Sequence, residues 1–246
     1  MIITQAKIER HVARAIGQHV RLGMTERALR AWDTAFCMEA IAPKPGMNIL
    51  EVGSGATHTY LAFHDTGATV AVTDSMHWQE RRERELDAKK QVQLGLPDIN
   101  TQQAEANAAG IKSYKLDIQI AEDCPENDAY DAVYSISALE HAELIEAALG
   151  NIYRILKPGG VFAVTTECNF VHSLPWVGAE LFIRIFNVVE FVELLMDAGF
   201  TVHDISPEPE HLPRMYGGAD SQGLQMLSGG HFGNVGFICT KREVVA

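Results

Sequence analysis

The chain has 246 residues, of which 47% are hydrophobic and 21% charged, a balance that supplies a sizeable core for one large α/β domain. Its formal net charge of -12, with a pI near 5.2, argues against phosphate backbones and anionic membrane surfaces as partners, because Lys and Arg hold both. Cys37, Cys124, Cys168 and Cys239 form no C-x-x-C pair, the N-terminus lacks a signal-peptide core, and no apolar run approaches the ~20 residues of a membrane span, so a reduced cytoplasmic setting is expected.

In chain order, Ile8, Val12, Ala15, Ile16, His19 and Val20 recur at helical spacing. Gly23 breaks this helix, and a second runs from Thr25 through Trp32 and Phe36 to Ile41, where Pro43, Pro45 and Gly46 end it. Both helices are too short for a core of their own. Residues 1–45 are therefore expected as a helical extension or lid on a main domain at 46–246, with Trp32 and Phe36 as core residues. From there apolar, β-rich runs at 48–52, 69–73, 111–116, 130–136, 160–166, 201–205 and 233–240 read as buried strands. Amphipathic stretches at 57–64, 102–109, 142–156 and 188–198 lie between them. This alternation predicts an α/β fold with a doubly wound, mostly parallel sheet, helices on both faces and a ligand edge at the carboxyl ends of the strands. Residues 76–99, with the mixed-charge run Glu80 to Glu85, are expected as an exposed helix, and 207–230 as a long loop over the sheet edge.

The strongest local signal is Asn48-Ile49-Leu50-Glu51-Val52-Gly53-Ser54-Gly55-Ala56-Thr57, an apolar strand ending in a carboxylate and a glycine turn that opens a helix. Glycines belong there because a Cβ blocks a ligand from lying against the turn. The dinucleotide pattern G-x-G-x-x-G places its third glycine at position 58, which is His58. A carboxylate beside the turn suits a sulfonium amino acid and repels a pyrophosphate.

These residues resemble the first motif of the class I methyltransferases that use S-adenosylmethionine, with Glu51, Gly53 and Gly55 matching and Thr57 replacing the third glycine. Further matches follow in the family's order. Asp74 ends the second strand, where the resemblance implies hydrogen bonds to the ribose hydroxyls. Asp117 and Ile118 follow the third, at the adenine. Ser135 lies near the end of the fourth, under the transferring methyl, and Lys157-Pro158-Gly159-Gly160 is the turn into the fifth. The resemblance spans roughly 47–200, with a plausible seventh strand at 233–240, and implies a seven-stranded Rossmann-like sheet. Cofactor contacts are expected from Glu51, Gly53, Ser54, Gly55, Asp74, Ser75, Asp117, Ile118 and Ser135.

The activity implied is in-line transfer of a methyl group to a small-molecule acceptor. His141 in Glu140-His141 is the candidate base, since an imidazole with an unperturbed pKa near ~6.5 can take a proton at neutral pH. Glu140, Glu167, His172 and Tyr216 are candidates for the acceptor pocket. No metal is expected, because the ten histidines form no H-E-x-x-H or His/Cys cluster. Two alternatives stay open: a non-catalytic methyltransferase-like binding module, which the Thr57 replacement allows, and an NAD(P)-dependent oxidoreductase sharing the fold and glycine turn.

Overall fold

The computed structural model describes residues 31–55, 58–75, 99–169, 174–177, 183–207 and 232–243. The chain begins there with helix α1 (Ala31–Ile41), followed by β1 (Asn48–Val52), α2 (Tyr60–His64) and β2 (Thr69–Asp74). Next come α3 (Ile99–Ala108), β3 (Lys112–Lys115) and β4 (Tyr130–Ile136). After these lie α4 (Ile145–Ile155), β5 (Leu156–Asn169), β6 (Leu174–Val177) and β7 (Ile183–Asn187), then α5 (Val188–Asp197), β8 (Phe200–Pro207) and β9 (Phe232–Lys241). Short 3-10 turns sit at Ala121–Asp123 and Leu139–His141. Among the described residues no helix is long and apolar enough to cross a membrane.

Strands β3, β2, β1, β4 and β5 pair in that order and all in parallel. Strand β9 then runs antiparallel to β5, and β8 antiparallel to β9. All seven expected strands are present. Two more, β6 and β7, form an antiparallel pair whose second strand continues the edge of β5 at Cys168 and Asn169. The fold is the doubly wound α/β sheet expected. Parallel strands covered on both faces explain the apolar runs that mark β1, β2 and β4 in the sequence.

One face carries a core of Leu50, Val52, Val133, Phe162 and Val164 against α4 and α5. Helix α4 fits there because Ile145, Ala148, Leu149, Ile152 and Ile155 repeat at the helical period and are all buried. A capping box starts α5: Asn187 Oδ1 accepts from the Val189 N–H, and the Asn187 N–H donates to Glu190. The opposite face carries Ile49, Val70, Val72, Tyr134 and Ala163 under α1 and α2. Helix α1 belongs to this core, with Trp32, Phe36 and Cys37 buried. A Cβ on Gly236 of β9 would lie 2.5 Å from the Phe36 ring, so this glycine is the seat for α1 on the sheet.

Several boundaries shift from the sequence reading. Helix α2 begins at Tyr60 rather than 57, and α4 at Ile145 rather than 142, because Leu139–His141 forms a separate 3-10 turn. Strand β5 runs from Leu156 to Asn169, longer than the expected 160–166. The stretch 157–160, expected as a turn, opens β5 and is structural, as its chemistry suggests: Lys157 Nζ donates to Asp131 Oδ1 at 2.6 Å, and Asp131 also accepts from the Asn48 N–H at 2.8 Å. Burial opposes ionisation of Asp131, but Lys157 and the Asn48 N–H outweigh it and hold the carboxyl below its usual range. The expected helix at 76–99 lies, up to its last residue, outside the described residues, as do the first helix and nearly all of the loop at 207–230.

Candidate functional site

The carboxyl ends of β1, β2, β4 and β5 share one edge of the sheet, and the glycine turn crosses it. Past Val52 the backbone turns left-handed at Gly53 (φ +72°) and Gly55 (φ +50°). The Gly53 and Ser54 N–H groups both donate to the Thr73 carbonyl, at 2.9 and 3.0 Å, hooking the turn over β2. The Gly55 N–H donates to Asp74 Oδ2 at 2.9 Å, so the turn and the carboxylate ending β2 form one unit. The two glycines serve different ends. A Cβ on Gly53 would lie 2.3 Å from the Ala138 Cβ, in the loop after β4, whereas one on Gly55 would meet nothing within 4 Å. Gly53 admits the neighbouring loop, and Gly55 keeps open the space above the turn where a ligand can lie.

Thr57, which replaces the third glycine of the methyltransferase motif, lies outside the described residues; His58 stands where the dinucleotide pattern has its third glycine. Its backbone is left-handed (φ +54°), a conformation that suits glycine and strains other residues. The imidazole Nε2 sits 2.6 Å from Glu105 Oε2 and the ring packs against Tyr60, contacts that hold the strained residue in place. At this position the backbone takes the shape a glycine favours without the glycine.

Glu51 lies beneath the turn, 1% exposed. The Thr59 hydroxyl donates to one carboxylate oxygen and the Tyr134 hydroxyl to the other at 2.8 Å, while Phe63 stacks on Tyr134 at 4.1 Å. Thr59 and Tyr134 were not singled out from the sequence; a threonine eight residues after an interior carboxylate carries no recognisable spacing. Burial raises the Glu51 carboxyl from an ordinary 4.5 to about 7, against the pull of the Thr59, Tyr134 and Tyr60 hydrogen bonds, and the Asp74 charge adds to the rise. The folded state thus holds a proton that the unfolded chain has released between pH 4.5 and 7. This stabilisation, up to roughly 3 kcal/mol, is complete below the unfolded value and disappears as pH climbs through the folded one. Urea unfolding at pH 5 and pH 8 is expected to show a smaller pH difference for Glu51→Gln than for the wild type. Matching differences in the two proteins would exclude Glu51 as the titrating group.

At the third strand, Asp117 Oδ1 accepts from the Gln119 backbone N–H (3.0 Å) and side-chain amide (3.1 Å). Gln119 Oε1 in turn accepts from the Leu144 N–H at 2.6 Å, tying this loop to the start of α4. Gln119 is a further residue the sequence reading passed over. Ile118 is buried and its carbonyl accepts from Asn151 at 2.8 Å. Ser75 follows β2 at the same edge, partly exposed. Ser135 is fully buried, with its hydroxyl donating to the Val52 carbonyl at 3.0 Å.

Beyond β4, Ser137 is left-handed (φ +43°) and its N–H donates to the Thr165 carbonyl at 2.9 Å. This bend leads into the 3-10 turn that carries Glu140 and His141. Glu140 is buried and accepts from the Thr166 hydroxyl at 3.1 Å, so its carboxylate fastens the turn to β5. His141 is partly exposed beside it. Glu167 is buried on β5, opposite Asn234 of β9. His172 and Tyr216 lie outside the described residues. Among the described residues no group of three or more His, Cys, Asp or Glu side chains is arranged to hold a metal.

Comparisons with known proteins identify the family. A family pattern described as "Methyltransferase domain" matches residues 24–205. An O-methyltransferase of Pyrenophora dematioidea is 28% identical over 206 residues, covering 80% of this chain and 69% of that protein. A sterol 24-C-methyltransferase of Aspergillus fumigatus is 37% identical over 106 residues, covering 37% of this chain and only 28% of that protein. Among solved structures, the [4+2]-cyclase SpnF has a TM-score of 0.62 at 18% identity, with 88% of this chain and 84% of that one covered. A geranyl diphosphate methyltransferase in complex with SAM has a TM-score of 0.62 at 16% identity, with 94% and 90% covered. At such identities these two speak to the fold alone, and a cyclase among them shows that fold and chemistry can part company. The family pattern spans most of the chain and takes in the glycine turn, Asp74 and the turn before His141: the chain belongs to the methyltransferase domain family.

Proposed function

We propose that this chain transfers a methyl group from S-adenosylmethionine to a small-molecule acceptor. The observation that carries the reading is the left-handed Gly55, open above, joined through its N–H to the carboxylate ending β2. When bound, the cofactor supplies a methyl group activated on a positively charged sulfur. The chain's own part is to hold, orient and shield. Asp74 offers two oxygens with several lone pairs, so it can receive a vicinal diol while keeping the Gly55 N–H. Asp117, fixed by Gln119, and Ile118 border the neighbouring strand end, where a purine amino group and ring fit a carboxylate and an apolar wall. Gly53 and Ser54 hold the turn by their bonds to Thr73, and Glu51 and Ser135 support it from below.

On the acceptor side, the Glu140–Thr166 bond positions the turn that carries His141, which receives a proton when the acceptor must lose one. Glu167, with His172 and Tyr216, lines the remaining acceptor surface in this reading. Glu140, buried and bonded to Thr166, acts in this reading as a positioning residue. The relatives named for an oxygen acceptor and for a sterol favour a small organic acceptor over a macromolecule.

Calorimetric titration of the purified chain is expected to show binding of S-adenosylmethionine and S-adenosylhomocysteine and none of NAD(P). Binding of NAD(P) alone would overturn the reading. Once an acceptor is found by methyl-transfer screening, His141→Ala is expected to lower turnover about 100-fold, the usual size of a general-base contribution, with cofactor affinity unchanged. Unchanged turnover would remove His141 from the mechanism.

A further inference from the structure

Three side chains from three elements each keep a buried polar atom without a hydrogen-bond partner among the described residues: Trp32 Nε1 of α1, Thr165 Oγ1 of β5 and Asn234 Oδ1 of β9. Trp32 is 3% exposed and Thr165 0%. The backbone puts them on one face of the sheet. Strand β5 pairs with β9 without a break from Val161 to Asn169, with Thr165 opposite Gly236 and Glu167 opposite Asn234. Ala163 and Ile238 belong to the core under α1, and side chains two residues apart on a strand share a face, so Thr165, Glu167 and Asn234 look toward α1 as well. From above, the Phe36 ring fills the place left by Gly236, and Trp32 stacks on Phe36 at 5.4 Å. Asp33 Oδ1 accepts from Asn234 Nδ2 at 2.7 Å and fixes which way the amide points. The three side chains therefore share the side of the sheet where α1 crosses the carboxyl end of β5 and the amino end of β9.

Burying a polar atom without a partner is unfavourable, and three together on one face mark a place that awaits one. Their chemistry is specific. An indole N–H only donates, an amide oxygen only accepts, and a threonine hydroxyl does either. A hydroxyl group satisfies all three. An ammonium has no lone pair for Trp32, and a phosphate or carboxylate has no proton for Asn234. Anions also meet an unfavourable field on this face: burial first, then Asp33 and Glu51, raise the Cys37 thiol of α1. We propose that Trp32, Thr165 and Asn234 form a recognition subsite for a neutral hydroxyl of the methyl acceptor, which makes that acceptor an alcohol or phenol with no anionic group at this end. The inference rests on the methyltransferase reading above and deepens it by naming the acceptor's class.

The test uses the full chain saturated with S-adenosylhomocysteine and labelled with 15N at tryptophan, the Trp32 indole signal being assigned from Trp32→Phe. Cyclohexanol and phenol are titrated against methylcyclohexane and benzoate. At least one of the two hydroxyl compounds is expected to shift the Trp32 indole signal to saturation, and neither counterpart to do so. Thr165→Val, close in shape, is expected to weaken that binding about tenfold, the worth of one hydrogen bond, and Thr165→Ser to restore it. A Trp32 signal silent to both hydroxyl compounds, or moved equally by methylcyclohexane, would overturn the subsite. So would a water held against the indole N–H that saturating phenol leaves in place. If S-adenosylhomocysteine itself fails to bind by calorimetry, the methyltransferase reading falls and takes the subsite with it. If it binds while the Trp32 signal stays silent, the subsite alone falls.

Discussion

Asp74→Ala is expected to weaken S-adenosylhomocysteine binding a hundredfold or more while changing the unfolding midpoint little. In the free protein the carboxylate receives the Gly55 N–H at the partly exposed end of β2, so its removal leaves that donor where water can reach it. In the complex the same carboxylate is assigned both hydroxyls of a ribose. Two charge-assisted hydrogen bonds, each worth about 1.5 kcal/mol or more, account for about a hundredfold in affinity. Asp74→Asn keeps the oxygen that holds Gly55 and loses part of the accepting capacity, so it belongs between the two. Calorimetry of the three proteins checks the order. Wild-type affinity in Asp74→Ala would show that the ligand above the turn does not use this carboxylate.

The second large effect concerns Gly53. Gly53→Ala is expected to destabilise the fold by about 4 kcal/mol, the sum of a left-handed backbone penalty and overpacking against the Ala138 Cβ at 2.3 Å. Cofactor binding should fall with it, because the displaced turn carries Gly55 and the bonds from Gly53 and Ser54 to Thr73. The two contributions separate in a double mutant. Ala138→Gly removes the opposing methyl, so Gly53→Ala/Ala138→Gly is expected to recover the packing share and leave only the backbone strain. Denaturant unfolding of the single and double mutants measures both parts. A double mutant no more stable than Gly53→Ala would mean that the contact with Ala138 is not what demands glycine. The same contact explains why the glycine turn and the Ser137–His141 bend act as one piece: the cofactor side and the acceptor side of the site touch at a glycine and an alanine.

How much of this was legible before folding differs from residue to residue. Strands β1 and β4 match their expected bounds residue for residue, since parallel strands buried on both faces leave largely apolar runs, interrupted here only by Asn48 and Glu51 in β1 and by Asp131 and Ser135 in β4. Helix α4 is legible in its period, although the 3-10 turn before it is not. The β6–β7 pair was missed because short apolar stretches read equally as strand, helix or loop. Gly53, Gly55 and Asp74 are legible as a motif, for a tight turn and the strand end next to it are local features. What each does is not local. Gly53 is needed for Ala138, 85 residues further along the chain, and Ser135 and Glu140 turn inward to Val52 and Thr166 although their motif positions suggest ligand contact.

By itself the sequence determined the α/β alternation, the glycine turn beside a carboxylate and the order of strand-end acids, because periodicity and turn chemistry act over a few neighbouring residues. Only the tertiary structure decided that α1 seats its Phe36 ring on Gly236, that Glu51 is enclosed by Thr59 and Tyr134, and that Asp33 meets Asn234 across 201 positions of chain. Burial and long-range hydrogen bonding depend on which elements pack together. That depends on the whole sheet, since no window of sequence contains both partners.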